Sequence, residues 1–205
     1  MAKIAAGDLR ERISVLELTS TADNSAYTWS EVRRIWADAV LDTRSNLFST
    51  VGIGARGVTF TVRTSASLQL VNALRWRGQH CFLTSLLPLD GQRGYMAVKA
   101  ALCEPVTLTA KPQARTGRDE LNRPTAVEIP SFTFPGILTE KYRANEAEDV
   151  YRVTTLRRVL VTPKAIQLRP GDLVEAEGGP PYIIRQALDL DPWKNEYEIE
   201  RMEDV

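Results

Sequence analysis

The chain has 205 residues, 43 per cent hydrophobic and 25 per cent charged, globular proportions that exclude disorder and fibrous or cysteine-stapled scaffolds. Twenty-six basic residues balance twenty-six acidic ones, so no overall field draws the protein to nucleic acid or anionic lipid. No apolar run reaches the roughly 18 residues of a bilayer span and MAKIAAGDLRER lacks the apolar middle of a signal peptide, so residence in a cytosol, with both cysteines reduced, is expected.

Turn signals come often, and the segments between them are β-rich or alternate apolar with polar residues. In chain order the predicted strands are RISVLEL (12–18), VRRIWADAVL (32–41), VTFTVR (58–63), ALRWRG (73–78, a short strand or turn), the first arm of a hairpin in HCFLTSLLPLD, and its second arm GYMAVKAALC (94–103). After Glu104 come VTLTAK (106–111), TAVEIPSFTF (125–134), RRVLVT (157–162), DLVEAE (172–177), PYIIRQAL (181–188) and EYEIERM (196–202). Short helices are expected only near residues 43–50 and 139–150. Many short strands at this spacing predict an all-β protein of barrels or sandwiches.

The order of these segments repeats. Each half opens with a strand, passes a polar turn, enters an apolar strand and then a long polar insert, and closes through a further strand, a short strand and a two-strand hairpin. Two tandem, related β domains are therefore expected, residues 1–104 and 105–205. The first carries 12 Lys and Arg against 9 Asp and Glu, the second 14 against 17. A net +3 facing a net −3 suits head-to-tail contact between copies, although chance variation produces differences of this size.

Two stretches invite a chemical reading. GIGARG (52–57) satisfies G-x-G-x-x-G, but a strand-forming VTFTVR follows it and no acid lies between Asp42 and Asp90, so the helix and ribose ligand of a dinucleotide site are both missing. His80 and Cys81 adjoin, yet neighbours in a strand point to opposite faces. One His and two Cys are also too few ligands for a closed zinc site. If the DGQRG turn centres on Gln92, Phe82 faces Leu102, Thr84 faces Ala100 and Leu86 faces Val98 on the core side. His80 then lies beside Glu104 and Cys81 opposite Cys103, although a bulge at Pro88 would shift this register. No cofactor or metal is implied, and a cysteine-dependent enzyme using Cys81 is a minor alternative.

Four passages of the first half carry a family resemblance: GDLRERISVLE (7–17), YTWSEVRRIWADAVL (27–41), TRSNLFSTVGIGARGVTFTVR (43–63) and RWRGQHCFLTSLLPLDGQRGYMAVKAALCE (75–104). Together they resemble the phage head-tail joining family, the head-closure or neck proteins between portal and adaptor above and tail below. The chain departs from that pattern at His80-Cys81-Phe82 and in continuing for another hundred residues, of which PGDLVEAEGGPPYIIRQALDLDPWKNEYEIERMED resembles the same closing motif.

The resemblance implies small β-barrel subunits of head-closure type that form a homo-oligomeric ring of six or twelve copies, without catalysis. The expected setting is the virion neck, assembled in the bacterial host cytoplasm. Portal or adaptor protein would contact the head side and tail terminator or tail tube protein the tail side, with packaged DNA close by and no membrane. It implies a channel-closing loop, for which Arg44, Ser45, Asn46, Gly52, Gly54, Arg56 and Gly57 are the candidate residues. Arg10, Arg12, Glu146, Glu148 and Asp149 are candidate subunit or partner contacts. A tail-terminator or tail-proximal adaptor role is the alternative within the same setting, and an adhesive β module is the alternative for residues 105–205.

Overall fold

A computed structural model of the protein describes residues 6–42, 56–91, 94–118, 123–143 and 155–202. It is nearly all strand, arranged as two closed six-stranded barrels and one two-stranded hairpin. The first barrel comprises β1 (Glu11–Ser20), β2 (Tyr27–Leu41), β3 (Gly57–Arg63), β4 (Ala73–Trp76), β5 (Gln79–Pro88) and β6 (Tyr95–Leu102). Around the barrel the order is β1-β2-β3-β6-β5-β4, and antiparallel pairing of β4 with β1 closes it.

Side-chain alternation explains the closure. In β3 the β-branched and aromatic residues Val58, Phe60 and Val62 point inward and are buried, while Thr59 and Thr61 alternate outward. Ile13, Val15, Leu74, Leu83 and Val98 complete that core from the other strands, and the rings of Phe60 and Trp76 meet edge to face at 5.7 Å. Closure leaves no unpaired edge, so every strand of the ladder has two neighbours.

The second barrel uses β7 (Val106–Lys111), β10 (Phe132–Arg143), β11 (Thr155–Pro163), β12 (Leu173–Ala176), β13 (Pro181–Leu188) and β14 (Lys194–Arg201). Between β7 and β10 lies the separate hairpin of β8 (Arg115–Arg118) and β9 (Pro124–Val127). The barrel order β7-β10-β11-β14-β13-β12 is the first order translated strand for strand. Its core is Leu108, Phe134, Leu160, Val174, Ile184 and Ile199, with a polar inset. There the Tyr197 hydroxyl accepts from the Leu168 N–H at 3.0 Å and donates to the Ile166 carbonyl at 2.9 Å. Burial raises the pKa of that hydroxyl, which keeps it a donor.

The repeat extends to single residues. Asn72, buried before β4, accepts the Gln69 N–H at 2.9 Å, and Asp172, buried before β12, accepts the Arg169 N–H at 2.8 Å. Each side chain closes the turn that feeds the short strand. In the first barrel Arg77 (φ 50°) and Gly78 (φ 81°) make the two-residue turn from β4 to β5, where positive φ at both positions matches the strand twist.

Several expectations change. The helix expected near 139–150 is strand as far as Arg143, because β10 continues to pair with β11 up to Arg143–Thr155; the remainder of that stretch, like the helix expected at 43–50, lies outside the described residues. TAVEIPSFTF is broken: β9 ends at Val127 and β10 begins at Phe132, with Pro130, which has no N–H for a ladder, between them. By contact the chain divides into Met1–Thr19 with Trp29–Pro105, and Ser20–Thr28 with Val106–Val205, so the β1–β2 turn belongs to the second unit rather than to residues 1–104. Within that unit the Ser25 carbonyl accepts the Thr133 N–H at 2.9 Å, and the Tyr27 and Phe132 rings lie 5.9 Å apart. Asp23 shapes the turn by accepting from Thr21 and Ser25, and those bonds lower its carboxyl to a pKa of about 2.

Candidate functional site

The closing hairpin of the first barrel places the His-Cys pair. From Pro88 back to Ser85 its register is the expected one, with Leu86 opposite Val98. A bulge between Leu83 and Ser85 then takes up Thr84, so that Leu83 faces Ala100, Phe82 faces Ala101 and Cys81 faces Leu102. The bulge exchanges the faces. Cys81 and Leu83, instead of Phe82, enter the core, and Thr84 does not face Ala100. Cys81 is not opposite Cys103, whose N–H donates instead to the His80 carbonyl at 3.0 Å. Both cysteines are free thiols.

The chemistry of this pair follows from burial. Cys81 is fully buried and its thiol is pushed up to about 12, first by desolvation and then by Cys103; burial likewise pushes Cys103 up to about 11. A thiol held protonated is a poor nucleophile. His80 is buried against the Trp29 ring at 5.4 Å, and desolvation drives it down to about 4 against the opposing pull of Glu104. Its Nε2 finds no partner among the described residues, while its main-chain N–H donates to Glu104 at 3.0 Å. In the second barrel the pairing puts Tyr182 where the first has Cys81, and Pro181 where it has His80. The two positions belong to the fold, and neither side chain is tuned as base or nucleophile at neutral pH. Iodoacetamide should therefore leave both thiols of the native protein unlabelled at mildly alkaline pH and label both in guanidinium, as read by intact mass; rapid labelling of Cys81 in the native state would contradict this.

The loop residues are positioned from the barrel rim. Asp42, beyond β2, donates its N–H to the Gly57 carbonyl at 2.8 Å, and the Arg56 carbonyl accepts from Leu102 at 2.9 Å. The insert therefore leaves and rejoins the barrel at one point. Arg56 and Gly57 are its described end, and a Cβ at Gly57 would meet the Asp42 side chain at 3.4 Å; Arg44, Ser45, Asn46, Gly52 and Gly54 lie outside the described residues. At the equivalent place in the second barrel the paired Arg143 and Thr155 hold the ends of the other insert, whose Glu146, Glu148 and Asp149 also lie outside the described residues.

Arg10 and Arg12 are exposed at the start of β1. Arg10 donates to the Gly7 carbonyl at 3.4 Å, and the Arg12 guanidinium lies 6.0 Å from the Trp36 ring. Beside Trp36 runs a groove of about 660 Å³, lined by Leu9, Arg33, Ile35, Trp36, Arg63 and Ala66 among others. Arg33 spans its floor, donating to the Ala66 and Ser67 carbonyls at 2.6 and 3.1 Å. Trp36 is 56 per cent exposed because β2 turns Ile35, Ala37 and Ala39 toward the core. Sequence reasoning passed over this site, although the alternation Ile35-Trp36-Ala37-Asp38-Ala39 contains the signal for an outward tryptophan. Among the described residues no group of three or more His, Cys, Asp and Glu side chains could hold a metal ion.

Comparison of the chain with models of protein families, with curated proteins and with solved structures returns no match.

Proposed function

We propose that the protein is a structural subunit of a phage neck, forming a ring that joins the portal or adaptor of the DNA-filled head to the tail and helps to close the DNA channel. The observation that carries this reading is the shared rim geometry. Each rigid barrel holds the two ends of a long polar insert together at the same point of its strand order, through Asp42–Gly57 in one and Arg143–Thr155 in the other. A closed barrel that presents a long loop from a fixed root suits a scaffold whose partners are met by loops. The four passages that resemble the head-tail joining family supply the setting, and the protonated, buried Cys81 favours contact over catalysis. The same reading places the chain in the virion, with homo-oligomeric contacts and assembly in the host cytoplasm.

The test is removal of residues 44–55 from the gene in its phage. Barrel formation, followed by circular dichroism of the purified chain, should be unchanged, because the Asp42–Gly57 hydrogen bond already closes the strand pair. Packaged heads should then leak DNA. Retention of DNA by mutant heads, or absence of the chain from purified virions, would refute the role. Two tandem barrels per chain also allow six copies to present twelve similar units where a twelve-fold complex meets a six-fold tail; end-on particle images with twelve copies would exclude that arrangement.

A further inference from the structure

The first barrel offers a basic, apolar groove, and the second offers a tip of the opposite character. Between β13 and β14 the chain reads Leu188-Asp189-Leu190-Asp191-Pro192-Trp193. Leu190 is 98 per cent exposed, and Trp193 and Leu188 are exposed beside it in sequence. Isolated surface leucines are ordinary, whereas Leu190 and Trp193 on one short loop, with Leu188 at the end of β13 before it, bring three exposed large apolar side chains within six residues.

This tip is held rigid. Lys164 donates through Nζ to the Asp189 carbonyl at 2.6 Å and the Asp191 carbonyl at 2.8 Å, and the Asp191 carboxylate accepts the Trp193 N–H at 2.8 Å. Its side chain spent on those carbonyls, Lys164 leaves the Asp189 carboxylate outside that contact. A loop already fixed in one conformation loses little entropy when it docks. It therefore presents a leucine flanked by two acids as a preformed knob.

We propose that the groove beside Trp36 receives the Leu188–Trp193 tip of a second copy of this chain, Leu190 packing against Ile35, Trp36 and Ala66 with Asp189 toward Arg63. Charge and shape both support this occupant. The groove lining contains two arginines and no carboxylate among the described residues, Arg63 is exposed at its rim, and Arg33 is committed to the floor. Trp and Arg are the residues that most often anchor interfaces. Groove and tip are different surfaces on different barrels, so each copy can offer its groove to one neighbour and its tip to the next, a heterologous contact that produces a ring when the rotation closes. The inference deepens the ring reading above and rests on its premise that copies of the chain assemble.

Sedimentation velocity of the full chain over a range of concentrations tests it. Wild type should self-associate, and Leu190→Ala or Trp36→Ala, both surface changes, should each weaken association about tenfold or more. Arg63→Glu and Asp189→Arg should each weaken it, while one chain carrying both exchanges should recover most of the lost affinity. A variant with Ser65→Cys in the groove and Pro192→Cys on the tip, both exposed positions that leave Leu190 and Trp36 in place, treated with a bismaleimide, should give a ladder of linked copies. A chain that is monomeric throughout, one that associates regardless of Leu190 and Trp36, or one that crosslinks only within itself would overturn the proposal. A monomer that still retains DNA in assembled virions would overturn this contact alone, whereas leaking heads with intact self-association would separate the contact from channel closure.

Discussion

Replacing Gly136 with valine is expected to unfold the second barrel at a denaturant concentration where the first remains folded. Gly136 lies in β10, opposite Val106 of β7. A Cβ there would lie 2.7 Å from Leu108 Cδ1, 2.8 Å from Leu160 Cδ1 and 3.3 Å from the Phe134 ring. Leu108, Leu160 and Phe134 are fully buried, so they have no solvent into which to retreat, and Gly136 is paired with β7 while the next residue, Ile137, is paired with β11. Overpacking a dense core costs roughly 1–3 kcal/mol, and valine brings two further methyl groups into the same space, placing the expected loss near the top of that range. Because Gly136 and its neighbours belong to one unit, amide exchange should quicken in β7, β10 and β11 while β3 and β6 keep their protection. Tryptophan fluorescence offers a second reading, since Trp29, Trp36 and Trp76 lie in the first unit and Trp193 in the second. Wild-type stability in the variant would mean that Leu108 and Leu160 part freely and that the barrel is not packed as described.

The first barrel should lose stability on acidification through His80. Burial lowers its pKa from an ordinary 6.5 to about 4, with Glu104 pulling it back up and Arg75 adding to the depression. The folded state keeps the imidazole neutral where the unfolded chain takes up a proton. The stabilising difference is therefore complete above about pH 6.5 and is lost progressively as pH falls toward about 4. At about 1.4 kcal/mol per pKa unit the full loss is on the order of 3 kcal/mol. Other groups titrate in the same range, so the quantity to measure is the difference from His80→Phe, which packs a ring against Trp29 without the titrating nitrogen. Urea unfolding of the two proteins should diverge as pH falls, the wild type losing more. Parallel curves would show that water reaches the imidazole and that its charged form is accommodated.

The strand order was legible because each strand writes its own period. VTFTVR alternates in sequence and in burial, and GYMAVKAALC turns Met96, Val98, Ala100 and Leu102 to one side, as expected, with Val98 and Ala100 buried in the core and Met96 and Leu102 packed against it. The hairpin register was legible only as far as Ser85. Beyond it the bulge at Thr84, matched by one between Ile184 and Gln186, reverses which residues face inward. Nothing in LTSLL announces an unpaired residue, because the need for one comes from bending a strand around a closing barrel. The β8–β9 hairpin was hidden in a stretch rich in turn-forming residues, and the extension of β10 was hidden because TEKYR is rich in charged residues that read as the start of a short helix.

The candidate sites divide in the same way. Residue types and strand geometry alone placed His80 and Cys81 on opposite faces of one strand. Only the tertiary structure decided that the cysteines do not pair across the hairpin, that the turn at 20–28 belongs with the second barrel, and that Leu190 is left outside. Alternation is local, set by the pleat of each strand, and so can be read from the chain. Burial is collective: it depends on which surfaces six strands bring together when they close, and no single segment contains that information.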